Sequence, residues 1–331
     1  MTTLRDIAQR AGVNISTVSR ALNGNPEISE TTRLSILKIV EELGYRPNPA
    51  ARTLAGKSSR LIGVLLPDIR SGYFDIMMTY LNNSLGASNY APLLAMTDFD
   101  LKKEVEALDL FCDRQVAGIF VALPLNDKIR GNLTNVREKY GIPIVLLESL
   151  QHWESFDDVM IDDAYGMGLA IDHLIAKGHR EIGFMTDSWN YPIRFPMFKS
   201  AMSERHLNVR MDYVHISRHR FELGGFEAMK ELLGAEARPT AVLAGYDSIA
   251  IGAMRAVYAA KLKIPEDIAI VGNDDIPESS YLYQSLTTIA PPVRELAAMG
   301  THILIEKIEN PLNTVVHNIT LKPELILRET T

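Results

Sequence analysis

The stretch LRDIAQRAGVNISTVSRALNG, residues 4–24, decides the fold of the amino-terminal part of the chain. Thr3 and Asp6 have the spacing of a capping box, which predicts that a helix begins there. Gly12 predicts the end of this helix, because glycine readily adopts the left-handed conformation that closes helices. Apolar residues recur at helical spacing within 15–22, which predicts a second helix. Two short helices joined by a glycine-containing turn are typical of a helix-turn-helix.

A third helix is expected to brace the first two. Ser29 predicts its amino-terminal cap, and Gly44 predicts its end. We expect four apolar residues of this helix to turn inward: Leu34, Leu37, Val40 and Leu43. The proline-containing segment 45–59 then indicates a linker with one or two helical turns. Because so short a helix is marginal in water, we expect it to depend on a partner.

From Leu61 onward, apolar runs alternate with helical patterns. Continuous apolar runs separated by helices indicate parallel sheets that are covered on both faces. The predicted strands are 61–67, 91–96, 118–122, 143–147, 182–185, 241–244 and 268–272. The predicted helices are 73–88, 101–114, 164–177, 222–233 and 248–262. This length of alternating pattern predicts two α/β units, the first centred on 61–161 and the second on 162–290.

The composition is that of a globular protein with unevenly distributed charge. Hydrophobic residues make up 47% and charged residues 23% of the 331 residues. Residues 1–60 carry a formal charge of +4 and the remainder −11, so we expect only the first part to meet a polyanion. Neither a membrane-spanning run nor a secretory signal is found, which favours a cytoplasmic protein without a membrane partner. A single cysteine, Cys112, excludes an internal disulfide and a multi-thiolate metal site.

The outer face of the second predicted helix offers groups suited to reading DNA. Ile15, Ser16 and Arg20 are expected to project from it, opposite the packed Val18. An α-helix fits the major groove, where an Arg side chain binds a guanine edge and a Ser hydroxyl bonds a base or phosphate. The polar face of a protein–protein module is the alternative at this point.

The chain resembles the lactose/galactose repressor family of bacterial transcription regulators. The resemblance begins with residues 4–24 and continues with ELGYRPNPAARTL at 42–54. Further matching motifs extend over essentially the whole chain in one order: VLLPDI (64–69), KGHREIG (177–183), RPTAVLAGYDSIAIG (238–252), IPEDIAIVGNDDIP (264–277), LTTI (286–289) and PELILRE (323–329).

The resemblance implies a small helix-turn-helix head and a periplasmic-binding-protein-like α/β core of two parallel-sheet subdomains. It also implies a homodimer on pseudo-palindromic operator DNA, with a small sugar-like effector in the cleft between the subdomains. The implied boundaries are 1–46 for the DNA-binding domain, 47–60 for the hinge, 61–161 plus about 291–321 for the N-terminal subdomain, and 162–290 plus about 322–331 for the C-terminal subdomain. The residues after Ile326 leave no room for the heptad tail of tetrameric members, so we expect a dimer.

The resemblance also assigns DNA contacts residue by residue. The specificity positions fall on Ile15, Ser16 and Arg20. Positions that contact the DNA backbone fall on Thr17, Ser19 and Asn23. Hinge helices at 48–56 are implied to pair in the minor groove, where Leu54 wedges into the central base step and Arg52 adds salt-dependent affinity.

Implied effector-binding residues follow the ends of strands, as ligand-binding residues of α/β proteins do. They are Tyr73, Phe74, Glu148, Arg194, Phe221, Tyr246 and Asp274. Arg194 is expected in the loop after the strand 182–185. Arg220, Trp189 and Tyr191 are alternatives to Phe221 as the group that stacks on the ligand.

Three residues depart from the family pattern near this cleft. Gly72 stands where Pro is frequent, Tyr246 where Asn is usual, and Asn273 where an aromatic residue is usual. These departures indicate an effector other than the best-known ones.

Enzyme readings find little support in the sequence. The nucleophile-elbow, dinucleotide, phosphate-loop and His-Glu-x-x-His motifs are all missing. His215 and His219 are four residues apart, but two lone ligands do not make a metal site, so we expect no metal and no cofactor. The predicted function is therefore a ligand-controlled repressor of carbohydrate-related genes that is not an enzyme. The alternative is a sugar-binding or sugar-processing protein of the same architecture, for which residues 1–60 would be incidental.

Overall fold

The computed structural model describes residues 2–22, 25–45, 59–123, 127–148 and 151–331. The chain divides into two compact units, Met1–Ser59 and Arg60–Thr331, which we call the head and the core.

The head contains the three helices that the sequence predicts: α1 (Leu4–Ala11), α2 (Ile15–Leu22) and α3 (Glu30–Glu42). The capping box is confirmed, because the Thr3 hydroxyl accepts from the amide of Asp6 and the Asp6 carboxylate accepts from the amide of Thr3. Gly12 closes α1 with a φ of 65°, the left-handed conformation that glycine adopts without strain. Local sequence signals therefore determine where α1 begins and ends.

The buried face of α3 differs from the prediction. Ile36 is fully buried against Ile7 and Val18. Val40 and Leu43 pack against the same cluster as expected, whereas Leu34 is 58% exposed and Leu37 42% exposed. The prediction for these two leucines is wrong, because successive helical residues are about 100° apart and the face centred on Ile36 leaves them on the solvent side.

The core contains two six-stranded sheets, which contain every strand in the described part of the chain. The strands are β1 (Leu61–Leu66), β2 (Ala91–Met96), β3 (Gly118–Val121), β4 (Ile144–Leu147), β5 (Asp157–Ile161), β6 (Ile182–Asp187), β7 (Val214–Ser217), β8 (Ala241–Ala244), β9 (Ala269–Asn273), β10 (Thr287–Ala290), β11 (Asn318–Leu321) and β12 (Glu324–Ile326). The first sheet has the order β11-β5-β4-β3-β1-β2, and all its neighbours are parallel. The second has the order β12-β10-β9-β8-β6-β7 and is parallel except for the β10–β12 pair.

Helices cover both faces of each sheet. They are α4 (Gly72–Ala87), α5 (Leu101–Asp113), α6 (Asp127–Tyr140), α7 (Asp163–Ala176), α8 (Tyr191–Glu204), α9 (Phe221–Gly234), α10 (Asp247–Ala259) and α11 (Val293–Glu309). Alternate residues of β1 show how the first sheet is sandwiched, since Val64 packs toward α4 and α11 while Leu65 packs toward α5 and α6. Two further clusters enclose the second sheet in the same way. We call each sheet with its helices a half of the core.

The chain passes between the halves three times. The connections run from β5 to α7, from β10 to α11, and from β11 to β12. Each connection has only one or two residues outside regular structure. Because three short connections join the halves, a rigid-body motion of one half relative to the other has to bend the chain at these connections.

The buried face of α3 can be tested with a matched pair of truncations. Ile36→Ala is expected to destabilise the head by about 2–5 kcal/mol, because it removes a fully buried side chain. Leu34→Ala is expected to change its stability by less than about 0.5 kcal/mol. Hydrogen exchange of the α1–α3 amides in the full chain measures both. Equal loss of protection in the two variants would contradict the packing described here.

Candidate functional site

A cavity of about 400 Å³ lies between the two halves of the core. Most of its lining residues directly follow the carboxyl ends of strands, which parallel pairing brings to one edge of each sheet. The first half contributes Ser71, Tyr73, Phe74, Phe99, Ala122, Leu123, Glu148, Met160, Ile161, Asp162 and Thr320. The second half contributes Asp163, Ala164, Trp189, Asn190, Ile193, Arg194, Met197, Arg220, Tyr246 and Asp274.

Glu148 lies at the end of β4 with a φ of 60°, in the left-handed region that side chains rarely adopt. The Tyr73 hydroxyl donates a hydrogen bond to its carboxylate. Burial, and then the negative charge of Asp163, raise the pKa of Glu148 from 4.5 to about 7. Burial and the neighbouring Glu148 also raise the pKa of Tyr73 well above its usual value, so the phenol keeps its proton. Backbone strain at a buried carboxylate is typical of a functional position.

Arg194 supplies positive charge to the same cavity. Its guanidinium lies 3.4 Å from the carboxylate of Asp163 and 3.8 Å from that of Asp274. Burial by itself lowers the pKa of Arg194, but the acidic groups around it, Asp163 and Asp274 foremost, together raise it above its usual value. Burial raises the pKa of Asp274 well above its usual value, even though Arg194 lowers it. Asp274 has a φ of 114°, so a second carboxylate of the cavity has an unusual backbone conformation.

The structure corrects the expected setting of Arg194. The residue lies in the first turn of α8 rather than in the loop after β6. Two prolines lie in this helix, and Pro192 is tolerated because it lies in the first turn, where no backbone donor is needed. Pro196 lies inside α8, where packing of Phe198 and Met202 against the second sheet stabilises the helix.

Aromatic rings from both halves form one wall of the cavity. Phe99 and Trp189 stack with ring centroids 5.1 Å apart and an angle of 18° between planes. Trp189 is 48% exposed, so part of its ring is available for other contacts. Phe99 was not recognised from the sequence, although it follows β2 as the other lining residues follow their strands.

Phe221 does not line the cavity, in contrast to the expectation. Its ring packs edge-on against Tyr246, and its amide donates to the Tyr246 hydroxyl at 2.9 Å. The same hydroxyl donates to the buried carboxylate of Asp187 at 2.6 Å. Of the three alternatives, Arg220 and Trp189 line the cavity, whereas Tyr191 stacks on Phe195 within α8. Phe221 begins α9 with a φ of 61°, and its ring packs into the second half.

Most of the expected effector residues meet in this cavity. Six of the seven line one cavity: Tyr73, Phe74, Glu148, Arg194, Tyr246 and Asp274. Asp163 and Asn190 also line it and were missed by sequence reasoning. The available signal was their place after β5 and β6, at the ligand-facing edge of a parallel sheet.

The expected DNA-contacting residues lie on α2 of the head. Ile15, Ser16 and Arg20 are exposed, and Thr17 and Ser19 are partly exposed. Arg20 forms an exposed ion pair with Glu27 at 3.3 Å, an interaction that a phosphate or a base could readily replace. Asn23, Arg52 and Leu54 lie outside the described residues.

The two spaced histidines have partners of their own. His215 lies 3.6 Å from Glu231, and His219 lies 2.7 Å from Glu227. No cluster of three or more potential metal ligands occurs within the ranges that the structure describes. Among the described helices, none is long and apolar enough to span a membrane.

Comparisons with known proteins match both units of the chain. Residues 3–48 match the model of bacterial regulatory proteins of the lacI family, and residues 171–331 match a periplasmic binding protein-like domain. The chain is 30% identical to catabolite control protein A of Priestia megaterium, over 97% of this chain and 98% of that protein. It is 31% identical to the ribose operon repressor of Haemophilus influenzae, over 99% and 98% of the two chains.

A solved structure matches over nearly the same length. The lac repressor dimer bound to operator and the anti-inducer ONPF superimposes with a TM-score of 0.89 and 26% identity, over 99% of this chain and 98% of that one. Both named relatives are regulators rather than enzymes, and the identity extends over almost the whole chain. The chain therefore belongs to the lacI family of bacterial regulatory proteins.

Proposed function

We propose that this chain is a ligand-controlled transcription repressor of carbohydrate-related genes. It binds a pseudo-palindromic operator as a homodimer through the heads and takes a small, hydroxyl-rich effector into the core cavity. The observation that carries the proposal is the excess of acceptor groups in this cavity, next to flat aromatic rings. The operator lies on nucleoid DNA, so we place its action in the cytoplasm.

The charges of the cavity favour an effector that donates hydrogen bonds. Glu148, Asp163 and Asp274 lie near the guanidinium of Arg194. The second guanidinium of the cavity, that of Arg220, is already paired with Asp68. A carboxylate accepts up to about four hydrogen bonds, so Tyr73 and Arg194 leave capacity for ligand hydroxyls. Burial already raises the pKa of Glu148 and of Asp274, and a phosphate would make their ionisation costlier still, because buried like charges repel strongly. We therefore propose a neutral sugar or an amino sugar rather than a sugar phosphate.

The rings of Phe99 and Trp189 support the same class of ligand. A sugar ring presents an apolar face of C–H groups and an edge of hydroxyls. Such a molecule needs both a flat aromatic surface and convergent polar groups, and small-molecule sites combine the two. The cavity volume of about 400 Å³ suits a ligand of this size.

DNA recognition is assigned to α2 and the hinge. Ile15, Ser16 and Arg20 are proposed to read bases, and Thr17 and Ser19 to contact phosphates. Asn23, Arg52 and Leu54 are proposed as DNA contacts on the basis of the family resemblance. The proposed boundaries are those expected from the sequence: 1–46, 47–60, 61–161 plus about 291–321, and 162–290 plus about 322–331. The membership of the two sheets supports the core boundaries.

The effector proposal can be tested by a thermal-shift screen of the full chain against matched neutral sugars, amino sugars and sugar phosphates. A ligand of the cavity stabilises the core by RT ln(1 + [L]/Kd), so a neutral or amino sugar should raise its melting temperature. Arg194→Ala should lower the affinity for that ligand by about 10- to 100-fold, because the substitution leaves buried polar groups unpaired. Calorimetry measures the loss.

Arg210→Ala is the matched control, since Arg210 pairs with Asp212 outside the cavity. It should change effector affinity by less than about twofold. Stabilisation by phosphates alone, or unchanged affinity in Arg194→Ala, would contradict the proposed effector site.

Glu148→Gln tests the electrostatics of the cavity through pH. The raised pKa of Glu148 means that the folded carboxyl keeps its proton between about pH 4.5 and 7, where the unfolded carboxyl is ionised. The wild-type chain therefore loses stability as pH rises through this window, and the uncharged amide removes that loss. Glu148→Gln should raise the melting temperature by about 5 °C at pH 8 and have little effect near pH 5.

Differential scanning calorimetry at the two pH values gives the comparison, with exposed Glu204→Gln as the control. A stabilisation that is the same at both pH values would refute the assigned pKa shift.

Leu54→Ala tests the hinge. Wedging a leucine into a base step unstacks it, and the bent DNA gains contacts in return. The variant should lose about 2 kcal/mol or more of specific operator affinity while its nonspecific affinity stays nearly unchanged. Arg52→Ala should instead weaken both kinds of binding and flatten the salt dependence. Titrations against operator and scrambled duplex at two salt concentrations separate them. A wild-type specificity ratio in Leu54→Ala would exclude insertion.

A further inference from the structure

Arg220 connects the two halves of the core. It precedes α9 in the second half, and its guanidinium lies 2.5 Å from a carboxylate oxygen of Asp68, which follows β1 in the first half. Both side chains are largely buried. The guanidinium also lies over the ring of Phe99, again in the first half, at 5.5 Å from its centroid. Arg220 lines the effector cavity, whereas Asp68 does not.

Asp68 uses its two oxygens for different purposes. Oδ1 accepts from the amides of Arg70 and Ser71, at 2.8 and 3.3 Å, and so shapes the turn that leads into α4. Oδ2 binds Arg220. A substitution that preserves Oδ1 and removes the charge therefore separates the turn from the ion pair.

The second half has an aspartate that shapes a turn in the same way as Asp68. Asp187 ends β6, and its Oδ1 accepts from the amides of Trp189 and Asn190, at 2.8 and 2.9 Å. Its Oδ2 lies 3.9 Å from Nε of Arg220. The guanidinium thus lies between two turn-forming aspartates, one from each half, and only the pair with Asp68 crosses from one half to the other.

A close approach accompanies this pair. Gly72 at the start of α4 faces Ile276 of the second half, and a Cβ on Gly72 would lie 2.8 Å from the Ile276 Cγ2 methyl. Ile276 is buried and branched at Cβ, so its methyl has little room to move. The proline that is frequent at position 72 in the family would meet the same obstacle. Glycine here permits the halves to lie this close.

We propose that Asp68 is a positioning residue that holds Arg220 across the cleft, and that this ion pair sets the population in which the two halves are joined. A partly buried charge-assisted pair contributes more than a surface pair, because water screens it less. The pair forms between protein groups alone, so its effect on the halves does not depend on which effector binds.

A consequence for the effector rests on the proposed function. If the effector binds the joined conformation, its apparent dissociation constant varies inversely with the fraction of protein in that conformation. Weakening the ion pair through Asp68 should then lower the affinity for the effector, although Asp68 does not line the cavity.

The joined population can be measured by double electron–electron resonance on the full-length dimer without effector. Spin labels are placed at exposed positions in the two halves, Lys102→Cys and Glu204→Cys, in a Cys112→Ser background diluted with unlabelled protein. Asp68→Asn keeps Oδ1 for the turn and removes the charge. Asp172→Asn is the matched control, because Asp172 pairs with Arg205 within the second half.

Asp68→Asn and Arg220→Gln should each raise the ratio of separated to joined protein about tenfold, and the double variant should raise it no further. Gly72→Ala should shift it in the same direction by a steric route that leaves both charges in place. Asp172→Asn should match the wild type. A wild-type distance distribution in Asp68→Asn, or additive effects of the two single substitutions, would overturn the proposal.

Calorimetry with a cavity ligand distinguishes this proposal from the proposed function. A shifted distance distribution with no change in effector affinity would support the ion pair and contradict the proposed link to effector binding. An unshifted distribution contradicts the ion pair, whatever the effector does.

Discussion

Parallel pairing of strands is the constraint on which the rest of this structure depends. Strands that run in one direction bring their carboxyl ends to one edge of the sheet, and the residues after those ends are free to be polar. Glu148 follows β4, Arg220 follows β7 and Asp274 follows β9, so residues distant in sequence meet in one cavity. The charged side chains of the cavity lie beyond the apolar strands rather than within them. The role of the strands is to hold these ends in fixed positions.

The cavity carries an energetic cost that the fold around it has to offset. Buried carboxylates at Glu148 and Asp274 are disfavoured by desolvation and by one another, and both have a positive φ. Arg194 and the hydroxyl of Tyr73 offset part of this cost. A site with strained backbone and crowded carboxyl groups is stabilised when a ligand supplies hydrogen-bond donors, so effector binding shifts the conformational equilibrium of the core.

Much of the fold could be predicted from the sequence, for physical reasons that also explain the failures. Central strands such as β1 and β3 are continuous apolar runs because both faces are covered, and the sequence predicted them. The edge strands β7, β11 and β12 are short and half exposed, so they carry no such run and were missed. The buried strands β5 and β10 were missed as well, because two Asp residues open β5 and two Thr residues open β10. The correct inward face of α3 depended on which of several leucines and isoleucines packs on α1 and α2. Helical periodicity alone did not decide that.

The candidate site shows the same division. The family resemblance named seven effector residues, and six of them line one cavity, but it could not distinguish Phe221 from Arg220. The two residues are neighbours in sequence but have different positions. Phe221 has a left-handed φ and packs its ring against Tyr246, whereas Arg220 lines the cavity. The ion pair between Arg220 and Asp68 joins residues that are 152 positions apart. No local pattern records such a contact.

A ligand-controlled repressor requires that occupation of the core cavity and binding of DNA by the head are coupled. Reciprocity tests it most directly: operator affinity is measured with and without saturating effector, and effector affinity is measured with and without operator, on the same full-length chain. The account predicts that both ratios equal one common factor that differs from one, typically 5- to 150-fold for coupled sites. A factor of one in both directions would show that the cavity does not control the head, and would contradict the account.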